Sequence, residues 1–267
     1  MPATHSQLTP AIPVGLPAEP VSAPLRDPVW SGWDVLRILL MALVAMLATV
    51  LVLLGIVPGH TLRERASHLN ALPELQILGQ MVAYLVLLGY MYVLVTKERR
   101  SPRFWQSIHW SWPATTWSYL LGGMVLQGAF LLVERFLPFP RDTPFEALLR
   151  RPYSVYLIAV FSVTLGPLME ELFFRGFLFP VLARRFGVAT GILTSALGFA
   201  LMHATQYGYS WASVLLILVV GIVLGTVRAR QNSVAAAFLV HVAYNGTIIL
   251  IMLIATGGFR HLERLSQ

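Results

Sequence analysis

The sequence predicts an all-α, polytopic transmembrane helical bundle of about seven to eight spans. Three observations lead there. Of 267 residues, 57% are apolar and only 12% are charged, against about 25% charged in an ordinary soluble domain. The apolar residues gather into long runs. All seven tryptophans, Trp30, Trp33, Trp105, Trp110, Trp112, Trp117 and Trp211, fall at the edges of those runs, the pattern of an aromatic belt at a membrane interface. Such a composition excludes a soluble enzyme, a disordered chain and a disulfide-stapled secreted fold. Cysteine is absent, so thiolate metal sites and a Cys nucleophile are excluded with it.

The elements follow in order. Residues 1–30 read as a disordered tail, with seven prolines between Met1 and Pro28 and little apolar periodicity. Seven runs then stand out: Val35–Val57, Leu75–Val95, Trp117–Phe136, Ser154–Leu178, Gly187–His203, Trp211–Val227 and Val234–Thr256. A helix needs about 20 residues to cross the hydrocarbon layer. The first four runs and the last meet that length, whereas the fifth and sixth must borrow flanking residues. Arg103–Trp117, rich in Trp, is a candidate for an eighth, interfacial segment. Domain organisation is therefore a tail over 1–30, N-terminal spans with the interfacial segment over 31–152, a C-terminal core over 153–257 and a short tail over 258–267. Gly187/Gly191 and Gly221/Gly225, each four apart, suit close helix packing.

The formal net charge is +7, and all but one of the 19 basic residues are Arg, the exception being Lys97. The arginines lie between apolar runs, so their partner is the lipid headgroup rather than nucleic acid. Their distribution leans slightly toward a cytoplasmic N-terminus.

Ionisable residues inside spans are costly and mark function. In the first three spans Arg37 and Glu134 sit near ends, within snorkelling reach of the interface. The last four spans carry Glu170, Glu171 and Arg175, then His203, then His241 and Asn245. Glu171 and Arg175 are four apart with the acid first, the favoured order for a helical ion pair. Glu170 is turned ~100° away and has no local cation. That suits a carboxylate that takes and returns a proton. Gly166 and Pro167 just ahead of it interrupt the helix, which a membrane tolerates where neighbours or a wet cavity satisfy the freed groups. His203 alone reads as interfacial, and His241-x-x-x-Asn245 alone reads equally as two interhelical hydrogen bonds.

Together they form a set with chemistry. One Glu, two His and one Asn can activate water and donate to a developing oxyanion. The same Glu170, His203 and His241 also suit a divalent metal such as Zn²⁺. No Ser/His/Asp arrangement and no His-Glu-x-x-His motif stands out. A proton-coupled transporter using the same groups as a relay, or a non-catalytic immunity or scaffold protein, are the competing readings. No inverted repeat supports the first.

Glu170-Glu171-x-x-x-Arg175, Phe199-x-x-x-His203 and His241-x-x-x-Asn245 resemble the three motifs of the CAAX-protease and bacteriocin-processing family, also called the abortive-infection family. The resemblance covers roughly Ser154 to Thr256. It implies an α-helical intramembrane endopeptidase in a bacterial plasma membrane, acting on a membrane-associated or lipidated peptide or protein. In eukaryotic members the substrate is a prenylated C-a-a-X protein that loses its last three residues. By position Glu170 resembles the catalytic Glu and His203 its partner in activating water. His241 and Asn245 resemble the oxyanion pair, and Glu171 and Arg175 the supporting pair.

Depth raises a conflict. Glu170 lies ~12 Å from the end of a span closing at Leu178, and His241 ~10 Å beyond Val234. His203 lies ~24 Å beyond Gly187, too far to share a site. The expected resolution is that the fifth helix starts outside the hydrocarbon and that Ala204–Trp211 lies deep, covered by neighbouring helices.

Overall fold

The computed structural model describes residues 28–139, 143, 144, 148 and 152–263. Among these there is no strand, and six helices are long and apolar enough to cross a membrane, with a shorter apolar seventh. The expected all-α transmembrane bundle is the observed architecture. The arginines at 26, 141, 150, 151 and 264 that entered the charge distribution, and residues 1–27 of the tail, lie outside the described residues.

Helix α1 (Gly32–Ile56) begins at a capping box in which Asp34 answers Ser31. Helix α2 (Leu62–Asn70) was not foreseen. It is a short polar helix opened by a second box: Glu64 N–H donates to Thr61 Oγ1 at 3.2 Å and Thr61 N–H donates to Glu64 Oε2 at 3.4 Å, with His60 N–H a further donor to Oε2 at 2.8 Å. The backbone N–H groups of His60, then Thr61, hold the Glu64 carboxyl below its ordinary range. The Thr-x-x-Glu signature for this turn was present in the sequence. Helix α3 (Pro73–Val93) follows and ends in a π turn, Leu94–Glu98. It packs along α1.

The interfacial segment is not a span. It holds a single-turn helix, α4 (Phe104–Ser107), and it reaches inward. Ile108 is buried and touches the space beside Gly176. The His109 carbonyl accepts from Val234 N–H at 2.9 Å. Helix α5 (Thr116–Val133) then packs closely on the last helix.

The C-terminal helices are α6 (Pro152–Val163), α7 (Leu165–Glu171), a π segment Leu172–Leu178, α8 (Phe179–Phe186), α9 (Val188–His203), α10 (Trp211–Gln231) and α11 (Val234–Ala255). Two boundaries differ from expectation. The fourth run does not close at Leu178 but continues to Phe186: Pro180 sits in the first turn of α8, where a proline is tolerated, and Arg184 near its end donates to the Pro28 and Trp30 carbonyls. The sixth continues from Val227 to Gln231 and stops where Asn232 takes the left-handed conformation, φ 48°.

Gly187 corrects another reading. At φ 90° it is the turn between α8 and α9 and not one half of a packing pair. Gly191, its partner in sequence, does pack: a Cβ there would meet the Ala183 backbone at 2.9 Å. Gly221 lies against Ala196 in the same way, so α9 and α10 approach closely.

Residues assigned to both tails make contacts with the bundle. Pro28 and Trp30 offer their carbonyls to Arg184 at 2.8 and 3.2 Å. Phe259 and Leu262 are buried against Val155, Ile158 and Met252.

Candidate functional site

The site begins with a break in backbone geometry. Pro167 has no N–H, so the ladder behind it loses a donor, and the chain kinks at Thr164, φ −123° and ψ −91°. The Ser162 carbonyl released near this kink accepts from Asn245 Nδ2 at 2.7 Å. Asn245 thus ties α11 to the kink with one amide N–H, and its amide carries a second. The oxyanion role implied by the resemblance concerns that second donor.

Beyond the kink, Glu170 and Glu171 occupy the last turn of α7. Their side chains diverge as the ~100° step requires. Glu171 is fully buried. Its Oε1 accepts from Arg175 Nη1 at 2.9 Å and faces His241 Nδ1 at 2.9 Å. The ion pair foreseen in the sequence is therefore one edge of a triad whose third member comes from α11. Arg175 meets Glu171 end-on, leaving Glu171 Oε2 and Arg175 Nε without partners. Arg175 Nη2 donates to the Gly221 carbonyl at 3.0 Å, and its guanidinium lies 4.7 Å over the Phe199 ring.

Glu170 turns into a space between helices. Its Oε1 is 3.8 Å from His203 Nε2, and its Oε2 is 3.6 Å from His241 Nε2. Its side chain is 15% exposed and that of His203 14%, so the group is sheltered yet reachable. Both gaps exceed a direct hydrogen bond.

The ring orientations are fixed from behind. His203 Nδ1 lies 2.8 Å from the Phe199 carbonyl. A carbonyl can only accept, so Nδ1 carries the proton and neutral His203 presents an Nε2 lone pair to Glu170. His241 Nδ1 donates to the Glu171 carboxylate in the same way. Phe199 packs against both rings, with centroids at 4.6 Å and 5.7 Å.

The depth conflict dissolves in the corrected hairpin. With the helix that carries Glu170 running to Phe186, Glu170 and His203 stand roughly 26 and 24 Å from the Gly187 turn by helical rise, and His241 reaches them because α11 starts deeper, with Val234 beside Gly176. The two arms are matched. The expectation that Ala204–Trp211 is covered by helices holds only for buried Ala204, since Thr205, Gln206, Gly208 and Tyr209 are exposed. Their backbone is satisfied locally instead: Tyr209 N–H donates to Ala204 O at 2.8 Å and Gln206 N–H to His203 O at 3.0 Å.

Glu170, His203 and His241 are not gathered as a metal-ligand cluster among the described residues. Glu170, His203 and His241 are the residues that would hold a divalent ion such as Zn²⁺.

Two residues of this neighbourhood escaped sequence reasoning. Trp30, assigned to the aromatic belt, is 2% exposed, and its Nε1 donates to the Phe177 carbonyl at 3.1 Å. Arg228, counted among the topology-setting arginines, is buried, and its Nε donates to the Arg175 carbonyl at 3.2 Å.

Residues 152–247 match the family described as Rce1-like, type II CAAX prenyl endopeptidase Rce1-like. No curated protein and no solved structure matches the chain.

Proposed function

We propose that this protein is an intramembrane endopeptidase of the CAAX type in the bacterial plasma membrane, a reading supported by the match of residues 152–247 to the family described as type II CAAX prenyl endopeptidase Rce1-like. Its substrate class is a membrane-associated or lipidated peptide or protein, and its nucleophile is water activated by Glu170 and His203. One observation carries this reading. Glu170, in a helix interior, is bracketed at 3.6 and 3.8 Å by two imidazole Nε2 atoms whose Nδ1 atoms are already committed.

Water between Glu170 and His203 gives its proton to this pair as its oxygen bonds to the scissile carbonyl carbon. The carbonyl oxygen becomes an oxyanion. His241 and the second N–H of Asn245 are the donors for it, in a sheltered site where such donors count for more than in water. To donate from Nε2 while Nδ1–H stays on Glu171, His241 must be imidazolium, and Glu171 lies 2.9 Å away to stabilise it. The tetrahedral species then collapses. The C–N bond breaks, and the proton held by Glu170 and His203 passes to the leaving amine. A base that must be ionised together with an acid that must be protonated gives a bell-shaped pH–rate profile.

No step here uses a metal. Activity should survive exhaustive chelation and persist in a preparation shown metal-free by elemental analysis. Loss on chelation with recovery on Zn²⁺ would replace the scheme by a metal mechanism.

The deciding experiment uses purified full-length protein in liposomes and a farnesylated C-a-a-X peptide. Mass spectrometry should detect release of the terminal tripeptide by wild type and none by Glu170→Gln. In parallel, membrane peptides from cells with wild type or Glu170→Ala are compared to find native substrates. Equal cleavage by the Gln variant would remove Glu170 from its role.

A further inference from the structure

The π segment Leu172–Leu178 directly follows Glu170 and Glu171, and it contains Arg175. Within it the ladder is in i→i+5 register, as shown by Phe179 N–H bonding to the Phe174 carbonyl. The next carbonyl in that register is Arg175 O. Its donor would be the N–H of residue 180, which is proline and has none. A buried carbonyl with no donor is unfavourable in any interior, and more so in a membrane.

That donor comes from another helix. Arg228, in the last turn of α10 and 3% exposed, donates Nε to Arg175 O at 3.2 Å. Its Nη1 donates to Asn232 Oδ1 at 2.8 Å, and Asn232 is the left-handed residue that ends α10. Its guanidinium also lies 5.7 Å from the Phe179 ring centroid. Arg228 is thus held from its own helix end and fixes the backbone of the residue whose side chain holds Glu171, which in turn orients His241.

We propose that Arg228 is a positioning residue for the proteolytic site. It completes the π turn that Pro180 leaves open and so keeps Arg175, Glu171 and His241 in register. This rests on the endopeptidase reading for its kinetic consequence, though not for its structural one.

The test compares wild type, Arg228→Met, Pro180→Ala and the double variant, each as full-length protein in one detergent, on the farnesylated peptide. Arg228→Met should lower kcat about tenfold or more while KM changes less than about threefold, because an orienting contact is lost and no substrate contact is. Arg228→Lys, which keeps a cationic donor, should recover part of the loss.

Pro180→Ala restores a backbone N–H. In that background Arg228→Met should cost less than about threefold, a non-additivity that a packing role would not produce. Independent, multiplying losses, or an unchanged kcat in Arg228→Met, would overturn the proposal.

A second readout does not need activity. In protein with ¹⁵N-labelled imidazoles, the His241 Nδ1 signal is assigned by its disappearance in His241→Gln. It should shift in Arg228→Met and return in the double variant, and an unmoved signal would overturn the proposal. If wild type cleaves no such peptide, the endopeptidase reading fails and this signal alone decides the positioning role. Should Arg228→Met not fold, Asn232→Gly replaces it. This variant keeps the left-handed turn and removes the amide that holds Nη1, and it should move kcat and the His241 signal in the same sense.

Discussion

The N-terminal helices and the C-terminal core handle charge in opposite ways. Charged residues from the start of α1 and from the π turn after α3 meet at one end of the pair. Arg37 grips Glu98 through both terminal nitrogens at 2.7 and 3.0 Å, and Arg99 holds Asp34 at 2.5 Å. The middle of α1 is apolar and largely exposed, with Leu43, Val44 and Leu47 turned outward. In the core, by contrast, Glu170, Glu171, Arg175, His203 and His241 lie within helices and converge from three segments of chain. The N-terminal cluster joins two helix ends at an edge where water and headgroups share the load. The core cluster has no such help, so each partner must be supplied by protein. Charge at the rim keeps water and headgroups as partners, and charge inside is surrounded by protein groups.

This contrast predicts a graded set of outcomes. The largest concerns Glu170. Replacing it with Gln keeps size and removes the proposed base, and the cleavage rate should fall roughly 10²–10⁴-fold with insertion and melting temperature near wild type. A residual rate close to wild type in the liposome assay would erase the distinction between the two regions.

Loss of one proposed oxyanion donor comes next. Asn245→Ala should reduce kcat roughly 10²–10³-fold. It also frees the Ser162 carbonyl, at a stability cost of about 1–3 kcal/mol. Denaturation and kinetics measured on the same preparation separate the two effects. A stability loss with unchanged kcat would leave Asn245 as a fastening for the Thr164 kink alone.

Glu171→Ala should act mainly on stability. Arg175 would stay buried without its partner, a cost of roughly 3–5 kcal/mol, visible as a lower melting temperature and yield. Glu171→Leu with Arg175→Met should recover much of that stability, because removing both charges removes the unpaired one. It should not recover cleavage, since His241 would still lack the carboxylate behind its Nδ1. Recovery of both would show that orientation of His241 does not depend on Glu171.

The smallest effect belongs to the rim. Arg37→Gln breaks an exposed pair with Glu98, and such pairs contribute little. Cleavage should be unchanged, and the melting temperature should stay within the scatter of replicate measurements. A large loss would mean that the N-terminal pair of helices is coupled to the core more tightly than its position implies.

Some of this molecule was legible from residue types and spacing. Long apolar runs need no partner to declare themselves helical in a membrane, because an unsatisfied backbone cannot exist there. Glu171 and Arg175 are local, four apart on one helix, so their pairing follows from helical geometry. The separation of Glu170 from that pair follows equally. Other features turned on long-range contacts. Trp30 reads as an interfacial residue from its neighbours in sequence, and only the Phe177 carbonyl, far along the chain, makes it a buried donor. Arg228 reads as a loop charge for the same reason, since only the π register of Leu172–Leu178 makes the Arg175 carbonyl the one that Pro180 leaves without a donor.

Sequence by itself determined the helical membrane architecture, the Glu171–Arg175 pair and the identity of the groups able to do chemistry, since each rests on composition or on contacts within about one helical turn. Tertiary structure decided what those groups face. The Gly187 hairpin set Glu170 and His203 at one level. Glu171 turned the His241 ring, the Ser162 carbonyl claimed one N–H of Asn245, and Arg228 closed the π turn. The three hydrogen bonds join residues between 53 and 83 positions apart, and spacing along a chain carries no information about a partner on another helix until the helices have packed.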